Sequence, residues 1–284
     1  MSLPTTKPNH DGACVVGCVS FLNARPLIDG LDDHHELTVR YDVPSALLED
    51  LTAGEVDLAL CPVIDYQLSD KPLTIVPVGG IGCDGPTLTV RLFSRVPLER
   101  VTHVLADTHS HTSVVLLRLL MQELYGNAIT VESLDHDTSI DWATGPEAVL
   151  LIGDKVVTAS PPDELYAHQL DLGSAWKTLT GLPFVFAVWM MRADETLGSA
   201  PAVLDNQRSA NADRIEDIAA ACAERHGWTV QLATHYMRDL LRYTVGPREL
   251  QAMQEFWARA AKWNLIERHR PLLIYPDLQT ADAD

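Results

Sequence analysis

Apolar and polar positions along the chain alternate between two patterns. Short apolar runs such as "ACVVGCVS", "VDLALCPV" and "TIVPVGGIGC" have the length and the composition of buried strands. Between them lie longer stretches in which apolar residues recur at helical spacing, such as "PSALLEDLTAGE" and "SVVLLRLLMQELYG". This alternation predicts an α/β fold with largely parallel strand pairing.

The order of these elements predicts two lobes. A second α/β unit begins after Pro97, and the β-rich run "PFVFAVWMMR" carries the chain back toward the first unit, after which the pattern is helical. The predicted division is a disordered leader at residues 1–13, lobe one from residues 14–96 plus 187–284, and lobe two from residues 97–186. We expect a ligand cleft between the lobes, because such junctions are the usual place for small-molecule sites.

Composition and charge narrow the class of protein. The chain has 284 residues and a formal net charge of −18, which argues against nucleic acid as a partner because phosphate binding depends on Lys and Arg. "MSLPTTKPNHDG" has no signal-peptide core, and no apolar run is long enough for a bilayer, so we expect a cytoplasmic protein without membrane insertion. The five cysteines are scattered without a CxxC pair, which predicts buried reduced thiols and no metal site.

Polar residues crowd the segment from Asp107 to Ser113, between a predicted strand and a predicted helix. The hydroxyl residues there are Ser110, Thr112 and Ser113. Hydroxyl side chains at a helix start cap it, and the same helix start can bind a carboxylate or a phosphate. His109 and His111 form a His-x-His pair that could serve zinc, but no third ligand is placed beside them. Capping alone, anion binding and metal binding all remain open, with metal binding the least favoured.

The stretch "SFLNARPL" is the counterpart of this segment in lobe one. Ser20 and Asn23 follow the first predicted strand, and Asn23 offers both a donor and an acceptor. Arg25 either offsets the charge of an anionic ligand or lies on the surface. Two such turns, one in each lobe, would suit a ligand with two anionic ends.

Two further turns could contribute to the same cleft. "CDGPTLTV" places Thr89 after a Gly-Pro turn signal, and "LLIGD" ends a buried strand in Gly153 and Asp154. Each has a purely structural interpretation, as a β-prone threonine or as a turn residue. Asp154 could also act as a general base or as an orienting acceptor.

Taken together, these motifs resemble the chorismate dehydratase family of the futalosine route to menaquinone. The matching stretches include "VSFLNARPL", "LTAGEVDLALCPV", "GCDGPTLTVRLFSRVPL", "THSHTSVVLLRLL", "LLIGD" and "DLGSAWKTLTGLPFVFAVW", and the resemblance extends from Val16 to about Ile266. It implies a two-lobed fold like that of type II periplasmic binding proteins. It also implies conversion of chorismate to 3-[(1-carboxyvinyl)oxy]benzoate and water, without a metal or an organic cofactor.

The resemblance also assigns roles to residues. The family's candidate catalytic asparagine falls on Asn23, and its candidate catalytic serine falls on Thr89, which keeps the hydroxyl but adds a methyl group. The expected substrate-binding residues are Ser20, Arg25, Ser110, His111, Thr112, Ser113, Gly153 and Asp154. Because the product ring is aromatic, the protein has chiefly to orient the substrate, stabilise developing charge and help the hydroxyl leave.

Several alternatives stay open from the sequence. The proton-abstracting base could be His109, His111, Asp154 or the substrate's own side-chain carboxylate. The chain could instead be the 1,4-dihydroxy-6-naphthoate synthase of the same pathway, or a non-catalytic carboxylate-binding protein of the same fold. Helical spacing predicts that Trp257 and Trp263 pack inside the chain rather than on another subunit, while the oligomeric state stays open.

Overall fold

Two β-sheets form the framework of the protein. The structure is a computed structural model that describes residues 13–107, 110–134, 140–193 and 195–275. The first sheet has the order β11-β4-β10-β3-β1-β2, and the second has the order β7-β6-β8-β5-β9. The strands of the first sheet are β1 (Cys14–Cys18), β2 (Leu37–Tyr41), β3 (Leu58–Pro62), β4 (Leu73–Cys83), β10 (Phe184–Arg192) and β11 (Leu241–Arg242). Those of the second are β5 (Val90–Ser94), β6 (His103–Ala106), β7 (Thr130–Ser133), β8 (Ala148–Ile152) and β9 (His168–Asp171).

Helices cover these sheets and fill the C-terminal part of the chain. They are α1 (Arg25–Ile28), α2 (Pro44–Ala53), α3 (Asp65–Leu68), α4 (His111–Tyr125), α5 (Lys155–Thr158), α6 (Leu172–Thr180), α7 (Ala200–Ala212), α8 (Ile215–Cys222), α9 (Val230–His235) and α10 (Pro247–Lys262). Short 3₁₀ turns occur at Leu22–Ala24, Leu31–Asp33, Leu98–Arg100 and Glu224–His226, and α9 runs on into a π-helix at Tyr236–Leu240. No helix in the described ranges has both the length and the apolar character that crossing a bilayer requires.

The predicted α/β architecture with two lobes is confirmed, but the predicted parallel pairing is not. Strand β1 pairs in parallel with β2 and β3, and β6 pairs in parallel with β7 and β8. The pairings of β10, β11 and β5 are all antiparallel. Two of these strands, β5 and β10, are the ones that carry the chain from one sheet into the other, and both run antiparallel to their neighbours.

The two crossings also lie at other positions than the sequence predicted. The segment at residues 90–96 was expected in lobe one, yet β5 pairs with β8 and β9 of the second sheet. Similarly, β10 of the first sheet begins at Phe184 rather than at residue 187. The boundary between the lobes falls at the turn after Cys83 and not at Pro97. The sequence could not show this, because an apolar run indicates that a strand is buried but not which strands it pairs with. The predicted leader lies outside the described residues, apart from Ala13.

Helix α10 joins the two lobes at the back of the molecule. Trp257 is fully buried, stacks on Tyr66 with ring centroids 4.9 Å apart, and donates from Nε1 to the carbonyl of Val63 at 3.3 Å. Trp263 donates from Nε1 to Glu123 of α4 at 2.9 Å, and Arg259 forms an ion pair with the same carboxylate. Both tryptophans thus pack within the chain, as predicted.

A second junction between the lobes forms at the start of α4. The Nδ1 atom of His111 lies 2.8 Å from Oδ1 of Asp65, whose side chain is fully buried. Next to this pair, the backbone N–H of Ile64 donates to the hydroxyl of Thr112 at 3.2 Å. Burial raises the pKa of the Asp65 carboxyl, whereas the hydrogen bond to Asp65 raises the pKa of His111 above its ordinary value of 6.5.

This pair should make stability depend on pH. A histidine whose pKa is higher in the folded state stabilises the fold fully below pH 6.5 and loses that contribution as pH rises through the raised value. We therefore expect the free energy of unfolding, measured by urea denaturation, to fall as pH increases above 6.5. The variant His111→Gln should show a shallower fall. The control His235→Gln, which breaks a half-exposed pair with Asp239, should keep the wild-type dependence; equal slopes for His111→Gln and wild type would contradict the assignment.

Candidate active site

A cavity of about 250 Å³ lies between the two lobes, where the sequence predicted a cleft. Its lining residues are Phe21, Leu22, Asn23, Val43, Pro44, Asp107, Ser110, Ile152, Gly153, Asp154, Lys155 and Tyr236. They come from the turns after β1 and β2, from the turns after β6 and β8, and from the π-helix. The cavity therefore forms where strand ends of both sheets meet the C-terminal helices.

Tyr236 lies beside both residues that the sequence singled out, Thr89 and Asn23. Its hydroxyl is 2.6 Å from that of Thr89, and it lines the same cavity as Asn23. Asn23 lines the cavity, and its Oδ1 atom is buried without a hydrogen-bond partner. Thr89 is 3% exposed and stands behind Tyr236 rather than in the cavity lining.

Burial controls the ionisation of Tyr236. Its side chain is 2% exposed, and desolvation raises the pKa of Tyr236 far above the ordinary value, while the hydrogen bonds from Thr89 and Asn23 act in the opposite direction. The phenol therefore stays protonated at physiological pH. The sequence reasoning missed Tyr236 because it lies in "TVQLATHYMRDLLRY", where it looks like an ordinary helical apolar position.

The backbone before Thr89 is held in an unusual conformation. Leu88 has a φ of 64°, in the left-handed region that non-glycine residues rarely adopt. The carboxylate of Asp171 accepts from the N–H groups of Leu88 at 2.9 Å and of Thr87 at 3.1 Å, and it also caps α6 by accepting from Ser174. Asp171 thus fixes the turn that delivers Thr89 to Tyr236.

Asp154 connects the second lobe to the C-terminal helices across the cavity. Its Oδ1 accepts from Nε1 of Trp228 at 2.8 Å, and its Oδ2 lies 2.9 Å from Nδ1 of His226. Gly153 has a φ of 68°, and its N–H donates to the carbonyl of Thr89 at 2.8 Å. The predicted pair Gly153 and Asp154 therefore does line the cavity, and both oxygens of the carboxylate are engaged by the protein itself.

The hydroxyl residues at the start of α4 do not cap it. Ser110 occupies the N-cap position and lines the cavity, but its ψ is 82°, and its hydroxyl donates to Oγ of Ser113 at 2.8 Å instead of accepting from the helix. The hydroxyls of Ser113 and Thr112 are buried, and that of Thr112 is engaged by Ile64. The predicted capping is wrong because these side chains bond to one another and across the lobe junction. His109 lies outside the described residues.

Three other predicted binding residues do not line the cavity. Ser20 is exposed, and its carbonyl accepts from Arg25 at 3.4 Å. The Nε atom of Arg25 is buried without a partner, but neither residue is part of the cavity lining. His111 faces Asp65, as described above.

Lys155 is a cavity residue that the sequence reasoning missed. It follows Asp154 directly, and its Nζ lies 3.5 Å from Oδ2 of Asp107, which also lines the cavity. The side chain of Lys155 remains 33% exposed. The one signal in the sequence that could have identified Lys155 is its position immediately after the motif "LLIGD", at the first residue of α5. No group of three or more potential metal ligands comes together in the described part of the chain.

Comparisons with known structures agree with this architecture. A structure of a protein from Archaeoglobus fulgidus superposes with a TM-score of 0.70 at 14% identity, covering 91% of this chain and 100% of the other. The periplasmic aliphatic sulphonate binding protein of Escherichia coli superposes with a TM-score of 0.61 at 16% identity, covering 90% of this chain and 94% of the other. At this level of identity the likeness shows the fold alone, which is that of the periplasmic binding proteins.

Sequence comparisons identify the family. The chorismate dehydratase of Thermus thermophilus is 30% identical over 256 residues, which cover 83% of this chain and 91% of the relative. A family model described as menaquinone biosynthesis matches residues 14–262. Because that match spans nearly the whole chain, the protein belongs to the menaquinone biosynthesis family.

Proposed function

We propose that this protein is a chorismate dehydratase, a hydro-lyase that converts chorismate to 3-[(1-carboxyvinyl)oxy]benzoate and water in the cytoplasm. The observation that carries the proposal is that Asn23 and Tyr236 line the inter-lobe cavity, with the hydroxyl of Thr89 2.6 Å from that of Tyr236. Family membership and the name of the Thermus relative support it. The apolar walls of the cavity, which include Phe21, Val43 and Ile152, suit a ring that becomes aromatic.

Binding a dicarboxylate in a chain of net charge −18 requires local positive charge. Lys155 lies in the cavity wall and is the cation that we assign to one substrate carboxylate. His111 stands one residue beyond Ser110 of the wall but outside the lining, where its hydrogen bond to Asp65 raises its pKa. Lys155 thus acts from the second lobe, while Asn23 acts from the first.

The same contacts restrict the choice of base. His111 is hydrogen-bonded to Asp65 and does not line the cavity, so it is poorly placed to abstract a proton from the substrate. The carboxylate of Asp154 is engaged by His226 and Trp228 on both of its oxygens, which suits a role in holding the cavity wall. We therefore assign the removal of the C3 proton to the side-chain carboxylate of the substrate itself.

Asn23 is assigned to the reacting face of the substrate. Its Oδ1 is a buried acceptor without a partner in the protein, so a hydroxyl group of the substrate placed there would satisfy it. The C4 hydroxyl, which leaves in the reaction, is the group we place at this position.

Loss of the Asn23 amide should abolish most of the activity. Incubation of the wild type with chorismate, followed by mass spectrometry, is expected to show loss of one water. Asn23→Ala should lower kcat by about 100-fold or more, because the positioned polar group is lost. Asn206→Ala, an exposed asparagine on α7, is the matched control and should keep wild-type kcat. Near-normal turnover by Asn23→Ala would refute the role of Asn23, and no water loss by the wild type would refute the proposed function.

Removing the charge of Lys155 should weaken substrate binding. We expect Lys155→Met to raise KM for chorismate about tenfold with a smaller change in kcat, since a charge-assisted hydrogen bond is worth about 1.5–3 kcal/mol. Lys177→Met is the control, because Lys177 is also 33% exposed and also paired with an aspartate, but does not line the cavity. Equal KM values for the two variants would remove Lys155 from the binding site.

A further inference from the structure

The hydroxyl of Tyr236 lies 2.6 Å from the hydroxyl of Thr89, and Tyr236 lines the inter-lobe cavity together with Asn23. The contact with Asn23 lowers the pKa of Tyr236, which is the effect of a bond donated to the phenolic oxygen. Since Oδ1 can only accept, the amide nitrogen is the atom of Asn23 that is able to donate to the phenol.

Either hydroxyl of the Thr89–Tyr236 pair can supply the proton of their hydrogen bond, and the surroundings of Thr89 favour Thr89 as the donor. Its other acceptor, the carbonyl of Thr87, lies 3.5 Å away, whereas Tyr236 lies at 2.6 Å. A proton on Thr89 is therefore best placed toward Tyr236. When Thr89 and Asn23 donate to its oxygen, the phenol of Tyr236 has its own proton available for a group in the cavity that it lines.

We propose that Tyr236 is a catalytic residue that donates its proton to the departing C4 hydroxyl of chorismate, while Asn23 and Thr89 hold its oxygen. This role rests on the proposed function. Tyr236, rather than Thr89, is then the hydroxyl that meets the substrate, and Thr89 is a positioning residue. The arrangement accounts for a threonine at position 89, since its hydroxyl has only to reach Tyr236 and its methyl group stays buried.

The step balances without an added reagent. The substrate's side-chain carboxylate takes the C3 proton, and the electron pair of the C3–H bond becomes a double bond of the ring. The C4–O bond breaks with its electrons on oxygen, which takes the proton of Tyr236 and leaves as water. The phenolate, stabilised by the donors Asn23 and Thr89, then recovers a proton from the carboxylic acid of the product.

Two features of the backbone are typical of places where side chains must be positioned accurately, and they lie at Tyr236 and beside Thr89. Tyr236 begins the π-helix at Tyr236–Leu240, and such segments occur frequently at functional sites. On the other side, the left-handed Leu88 directly precedes Thr89 and is held by Asp171. A strained residue of this kind costs about 1–3 kcal/mol and persists where its surroundings fix it.

The test is removal of the Tyr236 hydroxyl with the ring retained. Tyr236→Phe is expected to lower kcat for chorismate by about 100-fold or more while KM changes by less than about threefold. The matched control is Tyr243→Phe, because the Tyr243 hydroxyl is also buried but has no hydrogen-bond partner, and it should keep wild-type kcat. Wild-type turnover together with a kcat of Tyr236→Phe within about threefold of wild type would overturn the inference. Absence of turnover by the wild type would instead overturn the proposed function.

Substitutions at Thr89 give a second measurement, which also serves if Tyr236→Phe does not fold. Thr89→Ser should keep nearly full kcat, and Thr89→Val should lower kcat by about tenfold or more. If Thr89 acts through Tyr236, the double variant Thr89→Val/Tyr236→Phe should be no slower than Tyr236→Phe alone. Equal kcat values for Thr89→Val and Thr89→Ser would overturn the inference.

Discussion

The passage of the chain from the first sheet to the second, at residues 84–89, is the constraint on which the site depends. Asp171 accepts from the backbone at Thr87 and Leu88 and from the start of α6, so one carboxylate fixes both the crossing and the helix that follows β9. The crossing ends in Thr89, whose hydroxyl lies against Tyr236. A buried hydrogen bond between two hydroxyls thus connects the strand crossing to the C-terminal helices.

Contacts between the two lobes hold together the cavity beside which this hydrogen bond lies. On one side, Asp154 engages His226 and Trp228, and near the start of α4 the pair His111–Asp65 joins the lobes again. In these contacts the carboxylates of Asp154 and Asp65 are engaged by the protein's own donors, and Asp154 is the one of the two that lines the cavity. An acidic protein can in this way present a site in which a lysine and neutral donors meet an anionic substrate.

The sequence was sufficient for the two-lobed α/β architecture, because strand-like and helix-like patterns alternate clearly. It was also sufficient to single out Asn23, because this residue lies in a long, distinctive motif. It was insufficient for sheet membership, since the burial pattern of residues 90–96 would be the same in either sheet. It also assigned binding roles to side chains that the fold uses otherwise, such as Thr112, which accepts from the backbone across the lobe junction. Tyr236 was out of reach because it lies 147 positions from Thr89 and follows a helical pattern, so only the folded chain reveals their contact.

A crystal structure of the Asn23→Ala variant with bound chorismate tests the central claim most directly, because the slow variant should retain its substrate. The account predicts chorismate in the inter-lobe cavity, with a carboxylate at Lys155 and the C4 oxygen about 2.5–3.0 Å from the Tyr236 hydroxyl. Chorismate bound outside this cavity, or bound with its C4 hydroxyl turned away from Tyr236, would contradict the account.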